Sequence, residues 1–412
     1  MAAGRAEGLV LQRDGDRGQA SRGMTVAFSV EDVGYLRSEA GSQALAAVAA
    51  LELTDASLVS DIDWVRSQFG RRAAALVETT VLRRRAAAKL PHAHGWLFTD
   101  EALQQATAEP VSRHRARRLA GARVHDATCS IGTELAHLRD SAELLVGSDI
   151  DPVRLAMARH NVAGVALCRA DALRPITRDS VVVLDPARRS AGRRRFDPRA
   201  YTPALDALLE VYRARETVVK CAPGVDFDAV VALGFAGEIE ITSLGGSVRE
   251  ACLWSAGLAQ PGVRRRATVL DTGEDITDAE PDECAVAPAG RWIVEPDGAV
   301  VRAGLVRQYA ARHGLWQLDR DIAYLSGDRL PDGVRGFEVI DALAYSERRL
   351  RQALSAHDVG AVEILVRGVA VDPDALRPRL RLRGSQRASV VIVRLGTGAA
   401  SKATAFVCRP SR

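Results

Sequence analysis

Two stretches decide the fold: Val124-His125-Asp126-Ala127-Thr128-Cys129-Ser130-Ile131-Gly132-Thr133, and then Leu144-Leu145-Val146-Gly147-Ser148-Asp149-Ile150-Asp151-Pro152. The first reads as a short apolar strand ending at Asp126, a turn of small residues, and a helix start. Such a turn lets backbone N–H groups approach a ligand closely. It lacks the three spaced glycines of the dinucleotide fingerprint. The second is a strand ending in a carboxylate about twenty residues on, where both hydroxyls of a ribose can be accepted.

Working outward, a third strand is expected near Val165 to Arg169, a fourth at Val181 to Asp185 and a fifth at Thr217 to Lys220. Helical segments fall between them, at Pro152 to Asn161 and Pro203 to Tyr212. Strands alternating with helices imply a mostly parallel α/β sheet. Two more strands, Glu238 to Ser243 and Val248 to Trp254, flank Gly245-Gly246 and predict a hairpin closing the sheet. Asp126, Asp149, Asp171 and Asp185 then stand at four successive strand ends. Capping of the next helix accounts for any one of them equally well. As an ordered set they favour a ligand crevice at the carboxyl ends of the strands.

These residues resemble motifs one and two of class I S-adenosylmethionine-dependent methyltransferases, and most resemble the RNA-modifying ones with THUMP-type domains. The chain after Met24 is similar to a bacterial group with THUMP-like domains. The resemblance implies a Rossmann-like methyltransferase sheet, an N-terminal helical region and C-terminal ferredoxin-like and THUMP-like α+β modules. The expected bounds are a disordered tail over 1–24, a helical domain over 25–120 and the methyltransferase domain over 121–258. A ferredoxin-like module over 259–335 and a THUMP-like domain over 336–412 follow. The resemblance further implies that Asp126, Thr128, Gly132 and Thr133 line the methionine part of S-adenosylmethionine. Asp149 and Ile150 would hold its ribose, and Asp171 and Ala172 its adenine. Asp185, Pro186 and Arg188 would face the acceptor atom.

The fourth motif departs from amino-methylating relatives. They read Asn or Asp, Pro, Pro and an aromatic that stacks on a flipped base, whereas this chain reads Asp185-Pro186-Ala187-Arg188-Arg189. The methylated atom therefore does not follow from the motif. Cys221, after the fifth strand, matches the place of the thiolate in pyrimidine carbon-five methylating enzymes, with Lys220 placed to lower its pKa. A buried structural cysteine is the competing reading.

Composition sets the remaining limits. The 412 residues imply several domains, and 47% hydrophobic with 26% charged residues fits a globular protein with real cores. Six scattered cysteines without a Cys-x-x-Cys pair suggest reduced thiols in a cytoplasmic protein. His92 and His94 lack a completing ligand, so no metal is expected. No apolar run approaches the length needed to span a bilayer, and the tail before Met24 lacks a signal-peptide core. Translation starting at Met24 fits that tail.

The net charge of +4 is uninformative, but the arginines cluster. Arg189 and Arg193 surround the acceptor mouth, and Arg377, Arg379, Arg381 and Arg383 alternate with other residues. In a strand that period would put all four guanidinium groups on one face, a row able to track an RNA phosphate backbone. A tRNA or rRNA acceptor is the expectation. A protein or small-molecule acceptor, or a non-catalytic RNA-binding protein with a vestigial fold, are the alternatives.

Overall fold

The computed structural model describes residues 27–411 other than 92, 188, 191, 192, 195, 196, 397, 399 and 400. The expected tail over 1–24 with its Met24 start, His92 and Arg188 lie outside the described residues. The chain divides into two compact units, one of residues up to Ala106 with Asp151–Ala163, the other of Thr107–Ile150 with everything from Gly164.

The first unit is helical: α1 (Val30–Leu36), α2 (Glu39–Ala49), α3 (Leu58–Phe69), α4 (Ala73–Ala86) and α5 (Asp100–Gln105). Ser29, Ser38 and Thr99 cap α1, α2 and α5 by accepting backbone N–H groups that the first turn leaves without partners. A later helix, Pro152–Asn161, belongs to the same unit. There the Asn161 side chain accepts from the Leu97 N–H at 2.8 Å and donates to the Leu97 carbonyl at 2.9 Å.

The second unit opens with α6 (Glu109–Arg118), β1 (Arg123–Asp126), α7 (Thr133–Leu138) and β2 (Leu144–Asp149). The Pro152–Asn161 helix is α8, followed by β3 (Ala166–Arg169) and β4 (Val181–Leu184). A ribbon of β5 (Arg189–Ser190) and β6 (Arg193–Arg194) precedes α9 (Leu205–Val211), β7 (Thr217–Cys221) and α10 (Phe227–Ala232). Then come β8 (Gly237–Leu244), β9 (Ser247–Ser255), β10 (Arg265–Val269) and β11 (Glu274–Thr277). Nine strands form one sheet in the order β11-β10-β8-β9-β7-β4-β1-β2-β3. From β3 to β7 the pairing is parallel, and β9 runs antiparallel to both its neighbours. The β8–β9 hairpin turns on Gly245 and Gly246, both at positive φ (63° and 66°), which side chains rarely adopt. It does not close the sheet, because β10 and β11 extend it beyond β8.

Period two divides the sheet's faces. Val182, Leu184, Val219 and Cys221 pack with Leu205, Leu208 and Val230 on one side. Val183, Val218 and Trp254 pack with Ala116, Leu119 and Leu138 of α6 and α7 on the other. Gly147 is required here, because a Cβ would lie 2.6 Å from the Leu135 side chain and 2.7 Å from that of Leu167.

Where α6 crosses β8 and β9 the sheet face is acidic. Buried Arg115 donates to Glu134 Oε2 at 2.8 Å and also to Glu250. Arg118 Nη1 reaches Glu238 at 2.6 Å and Glu240 at 2.8 Å, with its guanidinium 3.8 Å above the Trp254 ring. His114 pairs with Glu240 at 2.6 Å. Burial alone would raise the Glu240 carboxyl, but the His114 hydrogen bond and the Arg118 charge hold it well below its ordinary value. These pairs place α6 in the sheet unit, so the helical unit ends at Ala106 rather than at 120.

The last part carries α11 (Gly298–Ala303), α12 (Val306–His313), α13 (Glu347–Ala356) and α14 (Pro373–Arg379). Its strands are β12 (Trp292–Val294), β13 (Trp316–Gln317), β14 (Leu325–Gly327), β15 (Gly336–Ala344), β16 (Val359–Arg367), β17 (Gln386–Leu395) and β18 (Lys402–Pro410). They form a second sheet, β13-β14-β12-β15-β18-β17-β16. Leu350, Leu354, Leu376 and Leu380 of α13 and α14 share one core on its face.

Two further expectations are corrected. The segment 259–335 is not a separate ferredoxin-like module: β10 and β11 join the first sheet past residue 258, and β12 to β14 join the second. Each pairing satisfies a row of backbone groups that would otherwise be an open edge. Gly304 ends α11 in the left-handed conformation and so separates it from α12. The arginine run is not a strand. Asp372 accepts the N–H groups of Asp374 (2.9 Å) and Ala375 (3.3 Å), starting α14, and Arg381 and Arg383 follow in a loop. The four side chains therefore do not share one strand face.

Replacing Arg115 with Met strands two buried carboxylates. Denaturant unfolding of the full chain should show a loss of about 3–5 kcal/mol, whereas Arg383→Met, at an exposed site, should stay within about 0.5 kcal/mol.

Candidate active site at the strand ends

Asp126 ends β1, Asp149 ends β2, Asp171 follows β3 by two residues and Asp185 directly follows β4. Parallel pairing of these strands puts all four at the same edge of the sheet. The register sets Asp126 beside Gly147 and Val183. The order reverses at β1, whose neighbours are β2 and β4, and such a switch point opens a crevice at the carboxyl ends.

The turn after β1 is held by this edge. The Thr128 N–H donates to Asp126 Oδ1 at 3.2 Å, and Thr128 Oγ1 accepts the Asp185 N–H at 2.6 Å. Ser130, at φ 48°, is in the left-handed region, a strained place for a side-chain-bearing residue. Its N–H donates to Asp149 Oδ2 at 2.9 Å, which holds it there. Gly132, at φ 92°, precedes α7. Thr133 is buried. Ile150 is 61% exposed, an apolar side chain beside Asp149 in contact with solvent. Asp171 Oδ1 takes the Leu173 N–H at 2.9 Å, and buried Ala172 gives its carbonyl to the Tyr212 hydroxyl at 2.7 Å.

Beneath the edge lies a cluster that sequence reading did not assemble. Lys220 Nζ donates to Asp185 Oδ2 at 2.5 Å and lies 3.7 Å from Glu134 Oε1, with its side chain only 2% exposed. Burial would lower the Lys220 ammonium, but Asp185 and Glu134 outweigh it and hold it above its ordinary value. Burial would likewise raise Glu134, yet Arg115 and Lys220 bring its carboxyl down to about 2. Asp126 goes the other way: burial, with the Glu134 charge added, pushes its carboxyl up to about 8. One signal was available, a lysine inside the wholly buried strand Thr217–Cys221. Its partners, Asp185 after β4 and Glu134 of α7, have no sequence proximity.

Of the two readings of Cys221, the geometry favours the buried structural cysteine over a thiol activated by Lys220. Adjacent strand residues face opposite sides, so Lys220 turns to Asp185 while the fully buried Cys221 packs with Leu184 and Ala251 in the apolar core. Pro186 is buried, and Ala187 pairs with Thr202 through N–H···O bonds of 2.8 and 3.0 Å. The β5–β6 ribbon springs from that anchor, and it places Arg189 and Arg193 by backbone alone. Among the described residues no group of three or more His, Cys, Asp or Glu side chains could hold a metal ion, and no helix is long and apolar enough to cross a membrane.

The chain is 70% identical over 347 residues to the uncharacterized S-adenosylmethionine-dependent methyltransferases MT3122 and Rv3037c of two Mycobacterium tuberculosis strains, CDC 1551 and H37Rv. The match covers 82% of this chain and 97% of each relative. It belongs to the S-adenosylmethionine-dependent methyltransferases. A THUMP domain-like family matches residues 334–410 of the methyltransferase, and a domain of unknown function (DUF8688) matches residues 29–86. The crystal structure of a Porphyromonas gingivalis W83 protein assigned as a methyltransferase aligns with 87% of this chain and 99% of its own, at 17% identity and a TM-score of 0.68. That likeness shows the shared fold.

S-adenosylmethionine carries a sulfonium and an ammonium, and the donor set fits a cation. Four aspartates end successive strands, and below them Arg115 and Lys220 face Glu134, Glu250 and Asp185, two cations against three carboxylates. Asp149→Ala should raise the dissociation constant for S-adenosylmethionine roughly 10- to 100-fold by calorimetry, the worth of a hydrogen bond to a charged group. The raised Asp126 carboxyl has a stability consequence. A folded-state value near 8, above the ordinary 3.8, stabilises the protonated form. That contribution is complete below the ordinary value and is lost as pH rises through about 8. Between about pH 5 and about pH 9 the wild type should therefore lose more Tm than Asp126→Asn, read by scanning calorimetry without cofactor.

Proposed function

We propose that this methyltransferase modifies RNA, a tRNA or rRNA base, in the cytoplasm. The observation that carries the reading is the THUMP-like domain fused to the methyltransferase sheet. Its helix-covered face is basic. Arg348, Arg349 and Arg351 of α13 are exposed, as are Arg377, Arg379, Arg381 and Arg383 in and after α14. Arg377 and Arg379 have acidic neighbours, Asp374 at 2.8 Å and Glu347 at 3.1 Å, while the others extend the field along the face. Clustered guanidinium groups suit phosphates. The arginine ribbon after Asp185 would supply a second contact, through Arg189 and Arg193.

In this reading Asp126, Thr128, Gly132 and Thr133 hold the methionine end of the cofactor. Asp149 and Ile150 hold its ribose, and Asp171 and Ala172 its adenine. S-adenosylmethionine supplies an electrophilic methyl group. The chain's own contribution is alignment and exclusion of water, which can account for much of the barrier reduction. Asp185 orients the acceptor and takes its proton, Pro186 shapes the mouth, and Arg188 meets the substrate.

The test is transfer of radiolabelled methyl groups to separated tRNA, rRNA and protein pools from cells lacking the gene. Label should enter one RNA pool and disappear with Asp185→Ala. Label in protein, or in neither while the cofactor still binds, would overturn the RNA reading.

A further inference from the structure

We propose that Lys220 is the positioning residue of the acceptor site, pinning the Asp185 carboxylate in the orientation in which it meets the acceptor. This rests on the reading that Asp185 faces the acceptor. A lysine side chain 2% exposed, in the central strand of a core, has no stabilising purpose of its own. Taking an ammonium out of water costs several kcal/mol, and an apolar residue would fill the space without that cost. It is tolerated because its surroundings are built for it. Asp185 is 2.5 Å away, Glu134 is 3.7 Å away, and Arg115 with Glu250 closes the row behind them.

The direction of the row is informative. Glu134 and Glu250 are buried and share the single charge of Arg115, whereas Asp185 is the one member at the strand-end mouth, with a side chain 23% exposed. Lys220 thus joins a fixed, buried charge to a carboxylate on the reacting edge. Two constraints converge on that carboxylate: the backbone N–H of Asp185 is held by Thr128 Oγ1 at 2.6 Å, and its side chain by Lys220 Nζ. The main chain is fixed by the cofactor turn and the side chain by the core. Asp185 consequently has less rotamer freedom to lose when the acceptor arrives, which is the pre-organisation a transfer reaction needs. Lys220 touches neither cofactor nor acceptor in this scheme; it acts through Asp185.

The experiment is a double-mutant cycle in the full chain using Lys220→Met, Asp185→Asn and their combination. The readouts are methyl transfer to the RNA pool of deletion cells and S-adenosylmethionine binding by calorimetry. Lys220→Met should bind the cofactor within about 3-fold of wild type, keep KM for RNA and lose kcat roughly 100-fold. The combination should be no slower than Asp185→Asn alone, because the lysine's effect passes through that carboxylate. Because Lys220→Met leaves Glu134 uncompensated, Lys220→Met with Glu134→Gln is the charge-balanced second variant, and the same kcat loss is expected. If Asp185→Asn retains activity, the acceptor-facing reading of Asp185 fails. If Asp185→Asn is inactive but both lysine variants turn over normally, the positioning role of Lys220 is overturned while Asp185 stands. Losses that multiply in the combined variant would also overturn it, since Lys220 would then act independently.

Discussion

Arg115, buried between Glu134 and Glu250, is the constraint on which the catalytic unit depends. A guanidinium enclosed in a protein core is tolerated only when its carboxylates are in place, and the guanidinium and its two carboxylates come from three different elements, α6, α7 and β9. Helix, turn-bearing helix and sheet must therefore assemble together. The same charges continue through Lys220 to Asp185, so the packing of the core and the orientation of a residue at the strand ends have one electrostatic origin.

Around that core the strand-end site is made from small, separately constrained pieces. Gly147 lets α7 and β3 approach β2 closely. Ser130 accepts a strained backbone because Asp149 holds its N–H, and Thr128 ties the turn after β1 to the start of the loop after β4. Asp149 and Thr128 hence carry structural bonds at the site as well as any contact to a ligand. The carboxylates outnumber the cations, and burial, with the Glu134 charge added, shifts Asp126 toward its neutral form. Such an edge suits the positively charged methyl donor of the family.

The two sheets of the larger unit share the segment that sequence patterning treated as a module of its own. β10 and β11 continue the methyltransferase sheet, while β12 to β14 complete the THUMP-like one. Ala267, Val269, Ala299, Val300 and Leu325 lie in the same core as Leu184 and Ile241, so this segment packs as one piece with the catalytic sheet. Strand edges explain the arrangement: β8 and β15 each find a partner in it, and neither is left as an open row of donors and acceptors.

Much of this was written locally. The alternation of apolar runs and helices from β1 to β7, the carboxylate at each strand end and the Gly245-Gly246 hairpin all depend on neighbours within a few residues, and their reading from sequence agrees with the structure. The THUMP-like region was legible as well, through resemblance, and the family match covers 334–410. What the pattern misread was either outweighed by a stronger local signal or settled at distance. The period-two arginines became a capped helix and loop because Asp372 and Pro373 outweighed alternation. The basic face of α6 reads on its own as a charged surface, yet its partners Glu134, Glu238, Glu240 and Glu250 lie 19 to 135 residues away. Lys220 beside Cys221 suggested an activated thiol, until strand geometry put them on opposite faces. By itself the sequence determined the sheet and the identity of the residues at the strand ends, since periodicity and turn chemistry are short-range, and the cofactor class followed from the family resemblance those residues carry. Only the tertiary structure decided which charges pair, because a buried ion is stable solely where remote elements bring its counter-charge within a few ångströms.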